Sequence, residues 1–448
     1  MDFSAFKEAV IAACKAAGIA ENELYYQSRE GTSEDAFQHG INEFTASRDG
    51  GVCFRCIYQG KMGYASTEDL SEAQAKALVA KAADNASVLE AEEQVFLGEG
   101  GQRYEPLDVK PYSLPATDEL IAAVLDTQEK LYAADPKVID GCQSQGISQR
   151  SEIAICNSKG LDLHWQRNAA GLIAAAVVSD GAEMANDYQI KLGKLDTIDT
   201  SALTEKAVTA AMCKLGGEAA PTGQYPVVFD PDAMSDLLAT FCSIFSSEAA
   251  QKGLSKLADA EGQVIASPMV TIVDDPFHPE NPEPINFDAE GSPTHRKNVI
   301  ENGVLRTLLY NLKTANLAGK KTTGNASKGS YTSPVAVRPF TMYLAGGDLT
   351  EEELLKKAGD GVYITSLGGL HAGANAISGD FSLQSSGYMI EIGKQAGYVK
   401  SFTVAGNFYD LLKNIVALAD NCKLPRAMGM TTFGSPTVLV DGLSIAGK

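Results

Sequence analysis

The chain has 448 residues, of which 44% are hydrophobic and 21% charged, and a formal net charge of −20. That length exceeds one ordinary core, and the composition is that of a folded globular protein rather than a disordered or fibrous one. A surface this acidic repels phosphate backbones, which disfavours direct nucleic-acid binding, and no apolar run approaches the roughly 20 residues of a membrane helix.

The opening residues Met1-Asp2-Phe3-Ser4 carry no basic leader and run directly into an amphipathic pattern. The expectation is a cytoplasmic protein whose eight cysteines are free thiols. Phe3, Phe6, Val10, Cys14 and Ala17 recur at helical spacing, and Gly18 can cap the helix they predict. Strand-like segments follow around 24–27, 36–45, 52–58 and 62–65, the last two joined by a turn at Gln59-Gly60-Lys61. Ser66 and Asp69 offer an N-cap box for a second helix reaching about Ala86. Cys53 and Cys56 have metal-like spacing, but residues three apart on a strand point to opposite faces. With no second such pair to complete a site, they read as structural thiols.

An acidic, glycine-bearing linker spans 90–111. Beyond it, Leu120, Ile121, Val124, Leu125, Leu131 and Tyr132 form the apolar stripe of a helix, with Gln128 outside the stripe. Strands are expected at 153–157 and 161–178 around a turn at Asn157-Ser158-Lys159-Gly160, and a helix near 203–215. Gly216-Gly217 and Pro221-Thr222-Gly223 mark a further boundary. A strand at 225–229 then leads to Asp230, a good N-cap, and Pro231, suited to the first helical position. Met234, Leu237, Leu238, Phe241 and Phe245 form the buried face of that helix, whose end falls at Ser247. The segment Ile300-Glu301-Asn302-Gly303-Val304-Leu305 is a type I′ hairpin pattern. Together these predict an α+β fold: helix-flanked β units at 1–105 and 106–220, then a β-rich domain with large antiparallel sheets at 221–448.

The chemistry concentrates at Ser247-Glu248-Ala249-Ala250-Gln251-Lys252-Gly253-Leu254. This stretch resembles the histidine–glutamate–three residues–histidine motif of the TldD/PmbA peptidase family, whose metal-bearing members continue with Gly-Leu. Here the two ligand positions are Ser247 and Lys252. A charged ammonium has donors but no lone pair, so Lys252 cannot bind zinc at neutral pH. Phe287-Asp288-Ala289-Glu290-Gly291-Ser292-Pro293-Thr294 is similar to the family's Phe-Asp-x-Glu-Gly-x-Pro-Thr stretch. Gly379-Asp380-Phe381-Ser382, Gly387-Tyr388, Ile390-Glu391 with Gly393, and Val404-Ala405-Gly406-Asn407 are similar to its C-terminal signature. Gly63-Tyr64-Ala65-Ser66-Thr67 fits near the start. On these residues the chain is identified as a member of the family, of its metal-free, PmbA/TldE-like branch.

The resemblance implies a cytosolic two-subunit peptidase in which a zinc-bearing, TldD-like sister chain hydrolyses peptides and this type of chain completes the assembly. It implies no cofactor in this chain, zinc only in the sister subunit, and extended peptides or small flexible proteins as substrates. Purified alone, such a chain is expected to form a homodimer. The catalytic branch also draws a cysteine ligand from a Cys-Gly loop near its C-terminus, and Cys422 falls too early in the sequence to be that ligand.

Two readings of the motif stay open: Ser247 and Lys252 as ordinary helix-end residues, or Lys252 replacing the metal's charge by pairing with Glu248 at i,i+4. No catalytic residue is assigned. The five histidines, at 39, 164, 278, 295 and 371, are too scattered to form a short metal pair, and there is no G-x-S-x-G nucleophile elbow. Gly319-Lys320-Lys321-Thr322 has the tail of a P-loop without its first glycine, and a nucleotide site is rejected. His371, Gly373 and Asn375 lie in a glycine-dense segment where a backbone can approach closely, so they are the expected peptide-groove residues. The rival reading is an active metallopeptidase with ligands elsewhere, such as His371 with Asp380.

Overall fold

The chain, seen in a computed structural model that describes residues 1–90, 96–107, 112–281, 283–428 and 431–448, divides into two units that do not follow sequence order. Unit 1 comprises Met1–Leu215 together with Phe287–Pro293 and Lys328–Val335. Unit 2 comprises Gly216–Asn286, Thr294–Ser327 and Ala336–Lys448. The ends of the expected linker at 90–111 fall partly outside the described residues.

Unit 1 is built on one six-stranded antiparallel sheet in the order β3-β2-β1-β4-β5-β6. Its strands are β1 (Glu21–Phe37), β2 (Gly40–Tyr58), β3 (Lys61–Thr67), β4 (Gln143–Asn157), β5 (Asp162–Ser179) and β6 (Met184–Leu192). The two expected N-terminal units therefore share a single sheet. Four helices accompany it: α1 (Phe3–Ala16), α2 (Glu72–Ser87), α3 (Thr117–Ala134) and α4 (Thr200–Cys213). At one end of the sheet, Phe6, Val10 and Leu78 of α1 and α2 pack with Leu24 and Phe54. At the other, Leu120, Val124 and Val208 of α3 and α4 pack with Ala36 and Leu172. Leu24 and Ala36 are an even number of residues apart on β1, so both helix pairs cover the same face of the sheet.

Several local expectations change. The strand expected at 36–45 contains the β1–β2 turn, where Gln38 and His39 adopt φ of 49° and 64°. That left-handed turn is held by tertiary contacts: His39 bonds Glu129 at 2.8 Å and stacks on Tyr132, both on α3. Helix α2 starts later than expected, with Ser71 rather than Ser66 as N-cap, accepting from the Gln74 N–H. Gln128 is fully buried on α3 rather than outside its packed face, and its Nε2 donates to the Ala36 carbonyl at 2.7 Å. Cys53 and Cys56 are buried free thiols on alternate faces of β2.

The interior of unit 1 also holds charge. Arg55 of β2 is 6% exposed; its Nε donates to Glu23 of β1 at 2.7 Å and its Nη1 to Glu290 at 3.5 Å. Burial opposes the guanidinium charge, but Glu23 and Glu290 outweigh it and hold the group above its ordinary pKa. Glu290 belongs to the Phe287–Pro293 segment, which closes on itself through Asp288: its Oδ1 accepts from the N–H groups of Glu290 and Ser292, each at 2.9 Å. Tyr104 donates to the Gly291 carbonyl at 2.8 Å. Gly98 admits the Glu290 backbone, since an added Cβ there would lie 2.2 Å from the Glu290 carbonyl oxygen. The motif stretch 287–294 is thus mostly the counter-charge and clasp of a buried arginine. Lys328, from the second inserted segment, is 4% exposed and lies over the Tyr25 ring, with burial lowering its pKa.

Unit 2 contains a ring of strands. Val438–Ala446, Gly223–Phe229, Gly361–Gly368, Asp380–Glu391 and Lys394–Asn407 pair in succession, and Lys394–Asn407 pairs back to Val438–Ala446 through Thr403↔Ala446. A second, six-stranded sheet includes Ile272–Asp274, Lys297–Glu301, Thr341–Leu344 and Thr431–Ser435. Helix α5 (Pro231–Phe241) packs against strands of both systems and buries Met234, Leu237, Leu238 and Phe241. The hairpin at 300–305 forms, with Asn302 and Gly303 at φ of 50° and 82°.

Removing one partner of a buried ion pair strands the other, at a cost of about 3–5 kcal/mol. Arg55→Met leaves two buried carboxylates, so it should destabilise by about that amount, and Glu290→Gln, which leaves Arg55 paired with Glu23, by clearly less. Urea unfolding of the two variants checks the order.

Candidate functional site

Asp230 caps α5 by accepting from the Ala233 N–H at 2.7 Å, and Pro231 occupies the first turn. The helix does not run on to Ser247 as expected. It ends at Phe241, a single 3-10 turn follows over Cys242–Phe245, and a new short helix, α6 (Ser247–Gln251), begins. The break is fixed by Ser246, which caps α6 by accepting from the Ala249 N–H, and by backbone bonds of Ser247 and Phe245 to Leu309. Gly253, at φ 70°, ends α6, with the Leu254 N–H donating to the Ala249 carbonyl at 2.8 Å.

This local structure decides what the two ligand positions can do. Ser247 is 1% exposed, and its hydroxyl donates to Thr314 Oγ1 at 2.8 Å. Thr314 belongs to the N-terminal cap of α7 (Leu312–Leu317), where Asn311 and Thr314 bond each other reciprocally. Gln251 adds a bond from its Nε2 to the Thr314 carbonyl at 2.8 Å. Lys252 is exposed, and its Nζ lies 2.6 Å from Glu248 Oε1. The first position thus ties α6 to α7, and the second puts a cation on the motif glutamate. An ammonium has no lone pair and the serine hydroxyl is committed as a donor, so these residues do not fit zinc. Among the described residues, no group of three His, Cys, Asp or Glu side chains is arranged to hold a metal.

The three expected peptide-groove residues lie close together on one turn and the loop after it. His371 is exposed on a four-residue helical turn, Leu370–Gly373. Gly373 is needed for close approach: a Cβ there would lie 2.4 Å from the Ser382 carbonyl oxygen. Asn375 turns inward on its own loop, its Oδ1 accepting from the Ile377 and Ser378 N–H groups at 3.0 and 3.2 Å. Asp380 accepts from Asn407 Nδ2 at 2.8 Å, and bonds from Asn407 and Ser378 hold its carboxyl below the ordinary range. Lys256, just beyond α6, donates to the Ser378 carbonyl at 2.6 Å and lies over the Tyr409 ring. Ser378 and Tyr409, which flank stretches of the C-terminal signature, therefore brace the segment that follows the motif. Thr314, Lys256 and Tyr409 escaped the sequence reading; only the Asn311-x-x-Thr314 capping spacing could have marked one of them.

Cys422 donates weakly to the Leu344 carbonyl, and burial pushes its thiol up to about 11. Lys320, of the P-loop-like tail, is ion-paired with Glu261.

The α+β architecture and the motif around α6 are those of a metallopeptidase-like class. Models of the PmbA/TldA metallopeptidase domain 1, central domain and C-terminal domain match residues 23–86, 110–215 and 222–447. The chain belongs to the PmbA/TldD family. It is 26% identical to the metalloprotease PmbA homolog of Haemophilus influenzae, over 98% of this chain and 95% of that one. It is 24% identical to the metalloprotease PmbA of Escherichia coli O157:H7, over 89% and 86% respectively. The crystal structure of a candidate DNA gyrase modulator from Thermotoga maritima is similar, with TM-score 0.90 and 31% identity over 99% of this chain and 100% of that one. TldE from Thermococcus kodakarensis shares the fold, with TM-score 0.88 and 22% identity over 99% and 100%.

One titration at the head of this site is measurable. Burial pushes the Asp230 carboxyl up to about 8 from an ordinary 3.8; the Ala233 N–H opposes the shift, and Asp232 and Glu351 add to it. The folded state holds this proton more tightly than the unfolded chain, so the group's contribution is full below about pH 4 and is lost as pH rises through about 8. Asp230→Asn should flatten that decline when denaturant stability is followed across the window.

Proposed function

We propose that this chain is the non-catalytic subunit of a TldD/TldE-type peptidase, guiding unfolded peptides or small flexible proteins to a zinc-bearing, TldD-like sister chain. The observation that carries the reading is the double occupation of the ligand positions, Ser247 bonded to Thr314 and Lys252 paired with Glu248. The replacements are integrated into the fold rather than left idle, as expected of a site that has passed from metal binding to holding its own surface. In this reading the chain works in the cytoplasm, pairs with a second copy when the sister is absent, and contacts neither nucleic acid nor membrane. Its net charge of −20 and eight unpaired cysteines support that setting. Among the described residues no helix is long and apolar enough to cross a membrane.

Protein purified alone, without chelator or affinity tag, should contain far less than one zinc per chain and leave an unfolded peptide uncut. Mixed with a histidine-bearing family member, it should raise that member's cleavage of unfolded peptides. Near-stoichiometric metal with activity in the isolated chain would move the assignment to an active metallopeptidase. Lys252→Met should alter fold stability by no more than about 0.5 kcal/mol, the scale of an exposed i,i+4 pair, and weaken assembly with the sister chain if the cation serves there. Urea unfolding and a titration of the pair read the two effects separately.

A further inference from the structure

In unit 1, β3 pairs with β2 only between Val52 and Tyr58. On that side, β2 from Ile41 to Gly51 faces no strand among the described residues. Residues 41–49 are exposed, Phe44 by 49%. Free edges are normally blunted by charged side chains, above all lysine, or by proline, a bulge or brevity. Residues 43–47, Glu-Phe-Thr-Ala-Ser, contain neither lysine nor proline, and the bulge in this hairpin lies beyond them, between the Asp35 and Ala36 rungs.

Charge along the hairpin is patterned. Glu23↔Arg55, Arg29↔Asp49 and Glu30↔Arg48 set opposite charges across from one another, whereas Asp35↔Glu43 sets two carboxylates together. Like charges directly opposite destabilise a sheet. Asp35 Oδ1 is buried with no hydrogen-bond partner. Burial and Glu43 push the Asp35 carboxyl up, against a bond from Asn42. Among the described residues no cation is paired with this rung, and its Glu43 lies on the free edge.

A second copy pairing through this same edge cannot supply one. Two-fold antiparallel pairing of an edge with itself brings together residues of like parity and keeps each face on its own side. The face bearing Glu43 carries Thr45, Ser47 and Asp49, while Arg48 points to the other. The occupant must bring its own positive charge.

We propose that the free edge of β2 over Glu43–Asp49 binds an extended polypeptide segment that adds as a further strand and sets a lysine or arginine against Glu43 and Asp35. This rests on the peptide-guiding reading and names where a peptide docks and what it must carry. Backbone bonds supply sequence-tolerant affinity, and the carboxylate rung supplies the preference for a cation.

The test is fluorescence anisotropy of the full-length chain with two labelled, unstructured peptides of about twelve residues, long enough to pair along the edge, alike except that one carries lysine where the other carries glutamate. The lysine peptide should bind about tenfold more tightly, and Glu43→Lys should abolish or reverse that preference. Thr45→Pro and Ala46→Pro complete the set, because neighbouring strand residues aim their N–H groups to opposite sides. The proline that replaces the outward N–H should keep the melting temperature and lose the peptide. Absence of binding, equal binding of the two peptides, or full binding by the fold-preserving proline variant would each overturn the proposal. None of these readouts involves metal or cleavage, so the subunit reading stands or falls separately.

Discussion

A guanidinium buried between two carboxylates cannot be given up once it is in place. Taking Arg55 out of water is unfavourable unless Glu23 and Glu290 surround it, and those residues lie 32 and 235 positions away in the chain. Glu290, from the Phe287–Pro293 segment, completes the shell that Glu23 begins. The Asp288 turn, the Tyr104 bond to Gly291 and the glycine at position 98 hold that segment in place. A stretch that looks like a signature for chemistry is, at Asp288, Glu290 and Gly291, a signature for electrostatic closure.

The degenerate motif follows a related logic at smaller scale. A metal would have demanded lone pairs from positions 247 and 252; the chain has instead turned one inward and the other outward. Ser247 joins two short helices through Thr314, and Lys252 neutralises Glu248 at the surface. Neither helix is long enough to be stable by itself, so the Ser247–Thr314 bond helps hold the two together. The scaffold around the site, from Ser246 to the Lys256–Ser378 brace, remains that of a positioned helix end.

Much of this architecture was legible because it rests on local rules. Asp230 with Pro231, the helical spacing of Phe6, Val10 and Cys14, and Asn302-Gly303 each carry their structure within a few residues. The i,i+4 spacing of Glu248 and Lys252 likewise named two side chains that meet. Strand β6 and the first half of β4 were not legible. Gln143-Ser144-Gln145-Gly146 has too little apolar content to register as a strand, and β6 exposes Met184, Tyr188 and Ile190 on alternate positions. The turn at Gln38-His39 carries no local signal either, because α3 holds it in shape. Ser247 was legible only as a departure from a pattern; that it is buried against Thr314 depends on a contact 67 residues away.

The two inserted segments bear on how the protein is made. Unit 1 begins at the first residue, yet it includes Phe287–Pro293 and Lys328–Val335. During synthesis its sheet can form early, but Arg55 and Glu23 wait for their third partner until Phe287–Pro293 has been made. N-terminal domains commonly finish folding while the ribosome is still at work; this one is completed only by segments made well after its own sheet. In unit 2 the ring of strands closes on Val438–Ala446, which follows the other four strands of the ring in sequence. Each unit therefore reaches its final form only after a later segment has been made: unit 1 after Lys328–Val335, unit 2 after Val438–Ala446.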